Sequence, residues 1–196
     1  DVGDAIGHDL ILERYGAAVI LVIAATEREL DYVEGAAPIV CGVGPVEAAA
    51  ATARALETRR PDAVLHVGLA GARGFTTVEA VIGDEAIYSD AELRTFVPSS
   101  ARPDARFLAA ARAALPSARV CAIATTARVG GSVGHEVEAM EGFAVLRACE
   151  LAAIPAVEVR VVVNEIDEPD RANWHFDEGF TLLAEIVPVL LEVLHA

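Results

Sequence analysis

The sequence predicts an α/β fold of three layers, a mostly parallel or mixed central sheet flanked by helices. Two observations point to it. Short runs rich in Val, Ile and Ala alternate along the chain with alanine-rich stretches of helical character. The apolar runs are continuous, as in strands covered on both faces. No linker, tandem repeat or composition shift divides the 196 residues, of which 54% are hydrophobic, so one core is expected. The expected organisation is an N-terminal arm over 1–16 and a single domain over 17–196.

AAVILVIAA (17–25) reads as the first buried strand, with the acids of TEREL at its exit, and APIVCG (37–42) as a second short strand. GVGP then turns into VEAAAATARALETRR, a helix with Pro45 in its first turn. PDAVLHVG (61–68) is a strand left by the glycine loop LAGARG. VIGDEAIYS reads as a strand entered by a Gly83–Asp84 turn. RPDARFLAAARAAL is a helix and ARVCAIATT a strand. GHEVEAMEGFAVLRACELAAI reads as one helix, irregular at Gly142. PAVEVRVVV is the last buried strand, and DEGFTLLAEIVPVLLEVL a closing amphipathic helix that Pro188 should bend or deprive of one hydrogen bond.

Composition excludes several functions. The formal charge is −15, and all 15 basic side chains are arginine. Without lysine there is no Schiff base and no P-loop lysine. Without a basic stripe no nucleic-acid partner is expected. No apolar run is long enough to span a membrane as a helix, and the acidic, polar start does not resemble a signal peptide. Cys41, Cys121 and Cys149 are widely spaced among apolar neighbours and read as buried thiols of a reducing, cytoplasmic compartment. GVGPVE puts Glu47 where a dinucleotide fingerprint needs its third glycine. No serine stands in a nucleophile elbow, and the five histidines lack ligand spacing, so neither a metal nor a cofactor is expected.

In open α/β sheets ligands bind beyond the C-terminal strand ends. The polar residues there are Glu27 and Glu29, the Gly42–Gly44 turn, the loop with Gly68, Gly71 and Gly74, Thr125, Thr126 and Asn164. Taken alone, each has a plain structural reading. Glu29 and Glu141 fit solvated charges, Asn164 fits a turn cap, and the glycines fit close helix-to-sheet approach. Glu141 beside Gly142 also fits an acid aimed from a helix start into a crevice.

Taken in order, AATEREL, GVGPVEAAAAT, PDAVLHVGLAGA, IGDEAIYSD, VEAMEGFAV and VEVRVVVNEID resemble the purine nucleoside phosphorylase and nucleosidase superfamily. NEIDEPDRANW is similar to the C-terminal stretch of its futalosine hydrolases. The resemblance implies a nucleoside phosphorylase-like domain and a small-molecule purine nucleoside as ligand. It implies hydrolysis of futalosine to hypoxanthine and dehypoxanthinylfutalosine in menaquinone biosynthesis. The alternatives are a methylthioadenosine/adenosylhomocysteine nucleosidase, a purine nucleoside phosphorylase and a noncatalytic nucleoside sensor.

By the same resemblance Glu29 positions or deprotonates the attacking water, Glu141 holds ribosyl hydroxyls and Met140 packs against the sugar. Asn164 reads the base and assists its departure. Adenine-specific members carry aspartate there, and an amide can donate to the C6 oxygen that a carboxylate would repel. His66 and Leu69 stand where the phosphorylases contact phosphate with arginine and serine, a departure that favours water as acceptor. Arg171, Arg73 and Arg94 are candidates to meet a substrate carboxylate, and Trp174 to stack on the substrate. The resemblance further implies a homodimer or higher homo-oligomer. Two segments are shorter than in relatives, before CGVGP and between ATTARVGG and VEAMEG, so a more open pocket is expected.

Overall fold

The computed structural model describes residues 19–33, 36–75, 78–91 and 96–195. The N-terminal arm expected over 1–16, and Arg94, lie outside the described residues.

Strands β1 (Ile20–Ala24), β2 (Ala37–Val40), β3 (Ala63–Ala72) and β8 (Ala156–Glu165) are mutually parallel, in the order β2-β1-β3-β8. Strand β4 (Glu79–Tyr88) runs antiparallel to β8 and, further along the same edge, carries the short β5 (Ser100–Ala101). Strand β6 (Arg119–Thr125) pairs in parallel with β4 and with β7 (Val137–Ala139), and β7 returns antiparallel to β3. The path β3-β8-β4-β6-β7-β3 therefore closes on itself, so the mixed sheet is part barrel. Closure removes two edges that would otherwise need covering.

Among the described residues four helices cover the sheet: α1 (Pro45–Arg59), α2 (Ala105–Ala114), α3 (Gly142–Ala152) and α4 (Phe176–Leu194). Helices α2 and α4 pack on one face, where Leu183, Val187 and Leu190 meet Val157, Val159, Val161 and Val163. Helices α1 and α3 cover the other face over Leu21, Ile23 and Val64. A third cluster, with Val81, Ile123, Val137 and Val162, fills the closed part of the sheet. Local signals agree with these boundaries: Pro45 opens α1, and Asp104 caps α2 by accepting from the N–H groups of Arg106 and Phe107.

Three expectations need correction, and a fourth, Pro188, takes one of its two expected forms. Strand β3 continues through LAGA to Ala72, because β8 and β7 pair with that stretch from both sides. Gly83 and Asp84 make no turn; they form a bulge inside β4, where the register against β6 shifts by one residue. The long helix expected from Gly134 begins only at Gly142, and its first part is β7. A strand of three residues has no periodicity of its own to reveal it. Helix α4 runs unbroken through Pro188, held by the buried face of Ile186, Val187, Leu190 and Leu191. Proline there costs one backbone hydrogen bond, which burial of that face outweighs.

Candidate active site

The site lies where β1, β3, β7 and β8 end. Beyond β1 the chain makes a 3-10 turn, Glu27–Glu29, capped by Thr26. Its last residue, Glu29, is buried. Thr26 donates its backbone N–H (2.9 Å) and its hydroxyl (2.8 Å) to Glu29 Oε2, and Leu69 N–H donates to Oε1 (3.0 Å). Both carboxylate oxygens are thus fixed by backbone donors from β3 and from the turn.

Glu141 sits at the junction of β7 and α3 and is also buried. Gly44 N–H donates to its Oε1 (3.0 Å), and Arg160 Nη1 lies 3.3 Å from its Oε2. The start of α3 is anchored by Thr125 Oγ1, which accepts from Phe143 N–H (2.7 Å), and by the stack of Phe143 on Tyr88. The Gly44 turn, β7 and the α3 entry together hold one carboxylate.

Arg160 is the hub behind both acids, and the sequence alone did not single it out. It is only 1% exposed. Its Nε donates to Glu158 Oε1 (2.8 Å), its Nη1 to Leu69 O (3.4 Å) and its Nη2 to His66 Nε2. His66 Nδ1–H donates to Ile23 O (2.9 Å), which leaves Nε2 as the bare acceptor Arg160 needs. Burial, then the Arg160 charge, holds His66 well below its ordinary pKa of 6.5, so the ring is neutral. A side chain at Gly68 would meet Arg160 Nη1 at 2.5 Å and Glu29 Oε1 at 2.8 Å. Glycine there lets the strand pass between the two charges.

Asn164 lies near the end of β8 against Gly71. Its Nδ2 donates to Glu165 O (2.7 Å), so the turn-cap role is filled. Its Oδ1 and its second N–H have no partner among the described residues.

Glu29, Gly71, Met140, Glu141, Asn164 and Trp174 line a single cavity of about 230 Å³. Thr26, Leu69, Val129, Glu138, Phe176 and Phe180 complete much of its wall. Three carboxylates face it and no basic side chain does, among the described residues. Glu138 accepts from Gly130 N–H and from Ser132 N–H (2.9 Å), and so pins the segment that carries Val129 into the wall. Trp174 is set by donation from Nε1 to Glu168 O (3.2 Å) and by contact with Phe176.

Several residues named from the sequence lie off the cavity, Gly68 among them. Gly42 and Gly44 precede α1, the second as a donor to Glu141. Arg73 is occupied with His135 O (2.8 Å) and Ser132 O (3.1 Å), and holds the far side of the 128–135 segment. Arg171 stands 5.5 Å over the Trp174 ring.

The three thiols are free. Cys41 lies nearest the acids, and burial, then the Glu141 charge, pushes its thiol up to about 12, far from a nucleophile's range. A larger groove of about 1020 Å³ runs between α1 and α3, but none of the three acids reaches it, so the chemistry belongs to the smaller cavity.

Residues 28–187 match the phosphorylase superfamily, which is most of the chain. The futalosine hydrolase of Streptomyces coelicolor is 31% identical over 189 residues, covering 81% of this chain and 79% of that protein. The chain belongs to the phosphorylase superfamily. Its fold agrees with a futalosine hydrolase mutant of Helicobacter pylori, with a TM-score of 0.80 at 14% identity over 90% of this chain and 99% of the other. It agrees as well with the methylthioadenosine/adenosylhomocysteine (MTA/SAH) nucleosidase of Streptococcus pneumoniae in complex with 8-aminoadenine. There the TM-score is 0.77 at 22% identity over 91% and 99% of the two chains. This phosphorylase-superfamily chain is thus an enzyme of the nucleosidase type in fold and family. Among the described residues, no helix is long and apolar enough to cross a membrane.

Proposed function

We propose that the chain hydrolyses the N-glycosidic bond of a 6-oxopurine nucleoside, with futalosine as substrate and hypoxanthine and dehypoxanthinylfutalosine as products, for menaquinone biosynthesis. One observation carries this reading: Glu29, Glu141 and Asn164, from three different strand ends, line one cavity. Glu141 holds the ribosyl hydroxyls beside Met140 and places negative charge near C1′ as it becomes cation-like. Glu29, with both oxygens already fixed, offers a remaining lone pair to orient the attacking water. Asn164 Oδ1 accepts the N7 proton of the departing base, and its second N–H donates to O6.

Water is favoured over phosphate as acceptor. Leu69 N–H is spent on Glu29 and both His66 nitrogens are spent on Ile23 and Arg160, so neither residue has a donor for an anion. A phosphate dianion would also face three carboxylates in the cavity. Arg171, resting on Trp174 at the cavity wall, is the better placed arginine for the substrate's carboxylate, because Arg73 is occupied.

One observation favours adenine as a second reading. Since Nδ2 of Asn164 is pinned to Glu165 O, its free acceptor Oδ1 could also take the 6-amino group of adenine. The Asn164→Asp variant separates the two. If Asn164 reads O6, the change should shift the ratio of kcat/KM for 6-oxo over 6-amino nucleosides by about tenfold or more towards the amino compounds. An unchanged ratio, with inosine and adenosine compared in both proteins, contradicts base reading by this amide.

A homodimer is proposed too, with the α1/α3 groove as the contact between copies. The groove is apolar and leaves Val46 and Leu151 77% and 72% exposed. It begins at Pro45, next to the Gly44 that holds Glu141. Light scattering should give about twice the 20.5 kDa chain mass, and Leu151→Glu should halve it. A monomer at micromolar concentration contradicts the assignment. The three free thiols fit a reducing cytoplasm.

A further inference from the structure

Arg160 touches Glu141 directly and reaches Glu29 through Leu69, yet something must fix Arg160 itself. Its terminal nitrogens serve Glu141, Leu69 and His66, and its Nε serves Glu158 alone. A guanidinium is planar and its five N–H groups keep fixed angles. Fixing Nε–H therefore fixes where both terminal nitrogens point.

Glu158 is confined for this task. It is fully buried on β8, two residues before Arg160 and so on the same face of the strand. Its carboxylate abuts Gly142, where any Cβ would overlap both oxygens. Gly142 directly follows Glu141, so Glu158 presses on the backbone that carries the very acid Arg160 holds. Among the described residues its Oε2 has no hydrogen-bond partner. An orphaned buried oxygen is costly, and apolar residues of similar volume often serve stability as well or better than a buried ion pair. Beside Arg160 an acid also balances a buried charge, so its effect on stability and its placing of the guanidinium need separate readouts. Glu158 is also absent from the cavity wall.

We propose that Glu158 is a positioning residue: it aligns the Arg160 guanidinium through Nε, and that alignment sets the Glu141 carboxylate for the sugar. This rests on the reading of Glu141 as the sugar-holding group. What matters is the place of one acceptor atom. The charge on Glu158 is secondary, since Glu141 lies 3.3 Å from Arg160 Nη1 and gives the guanidinium a second anionic neighbour.

Two variants separate place from charge. Glu158→Gln keeps an acceptor oxygen at the same reach without the charge. Glu158→Asp keeps the charge but retracts the acceptor by one methylene. On the nucleoside the wild type cleaves, Glu158→Asp should lower kcat by about 100-fold with KM changed less than about threefold, because a misplacement of this size costs alignment more than binding. Glu158→Gln should recover to within about fivefold of wild type, since an amide oxygen also accepts from Nε–H. The reverse order, or losses that simply track the melting temperature, overturns the proposal. A second readout needs no turnover. In arginine-labelled protein, the Arg160 Nε–H signal should stay protected from exchange in wild type and Glu158→Gln, and lose protection in Glu158→Asp. If wild type cleaves no purine nucleoside, the functional reading fails, while the Nε–H signal still decides whether Glu158 aligns Arg160.

Discussion

Glu141→Gln is expected to lower kcat by about 100- to 1000-fold, the usual effect of removing one preorganised group that faces developing charge. The reason lies in how the carboxylate is held. Its two oxygens face two different donors, Gly44 N–H and Arg160 Nη1. A glutamine has one acceptor oxygen, so its NH₂ must oppose one of those donors. If it opposes Gly44, the side chain turns from the turn that fixes it. If it opposes Arg160, the buried guanidinium loses one of its two ion-pair partners among the described residues and keeps Glu158. Breaking a buried pair in this way typically destabilises by about 3–5 kcal/mol, so the melting temperature should fall as well. The loss in kcat should exceed what the remaining folded fraction explains. Activity measured at a temperature where circular dichroism shows the variant fully folded checks this. Near-wild-type kcat there would remove Glu141 from the chemistry.

Glu29→Gln should cost about 100- to 10,000-fold in kcat, the range for a positioned group that handles a reacting water's proton. Here too a glutamine cannot satisfy its surroundings. Oε2 receives two donors from Thr26 and Oε1 receives Leu69 N–H, so an NH₂ on either side meets a donor. Leaving one such buried group mispaired costs about 1–3 kcal/mol. The catalytic loss is larger than that, because the acceptor that orients the water is lost with the carboxylate. KM should change little, since Glu141, Met140 and Asn164 still hold the nucleoside. Steady-state rates with the melting curve of the same sample check it. A variant with unchanged kcat, or one whose whole loss lies in KM, would contradict the water-orienting role.

Most of the architecture was legible because it rests on local patterns. Continuous apolar runs gave β1, β3, β6 and β8, and the alanine-rich stretch opened by Pro45 gave α1. Where tertiary pairing decides, the sequence is silent. LAGA opens the two-glycine stretch LAGARG and reads as a loop, yet β7 and β8 pair with it and make it strand. Val137–Ala139 is too short to show a period, and the helical sequence after it masks it. Glu29 and Asn164 stood out because strand ends of such sheets face ligands; Glu141 stood out beside Gly142 and through the family resemblance, and Glu138, the third acid of the cavity, was passed over.

Arg160 and Glu158 were passed over although a signal was present. Opposite charges two residues apart in VEVRVVV must share one face of a buried strand. Two charges on a dry face require each other and further partners. What could not be read was which partners: His66, Leu69 and Glu141 come from other elements, and only the closed sheet brings them to Arg160. Arg73 shows the converse. It has the chemistry to bind a carboxylate, and only the fold reveals that backbone carbonyls of Ser132 and His135 already take its donors.

The most direct test is to incubate the protein with futalosine in phosphate-free buffer made with heavy-oxygen water and to follow both products by mass spectrometry. The geometry of Glu29, Glu141 and Asn164 around one cavity predicts free hypoxanthine, with the heavy oxygen on C1′ of the released sugar moiety. Base release that requires phosphate and yields a sugar 1-phosphate would contradict it, as would intact futalosine beside cleaved methylthioadenosine.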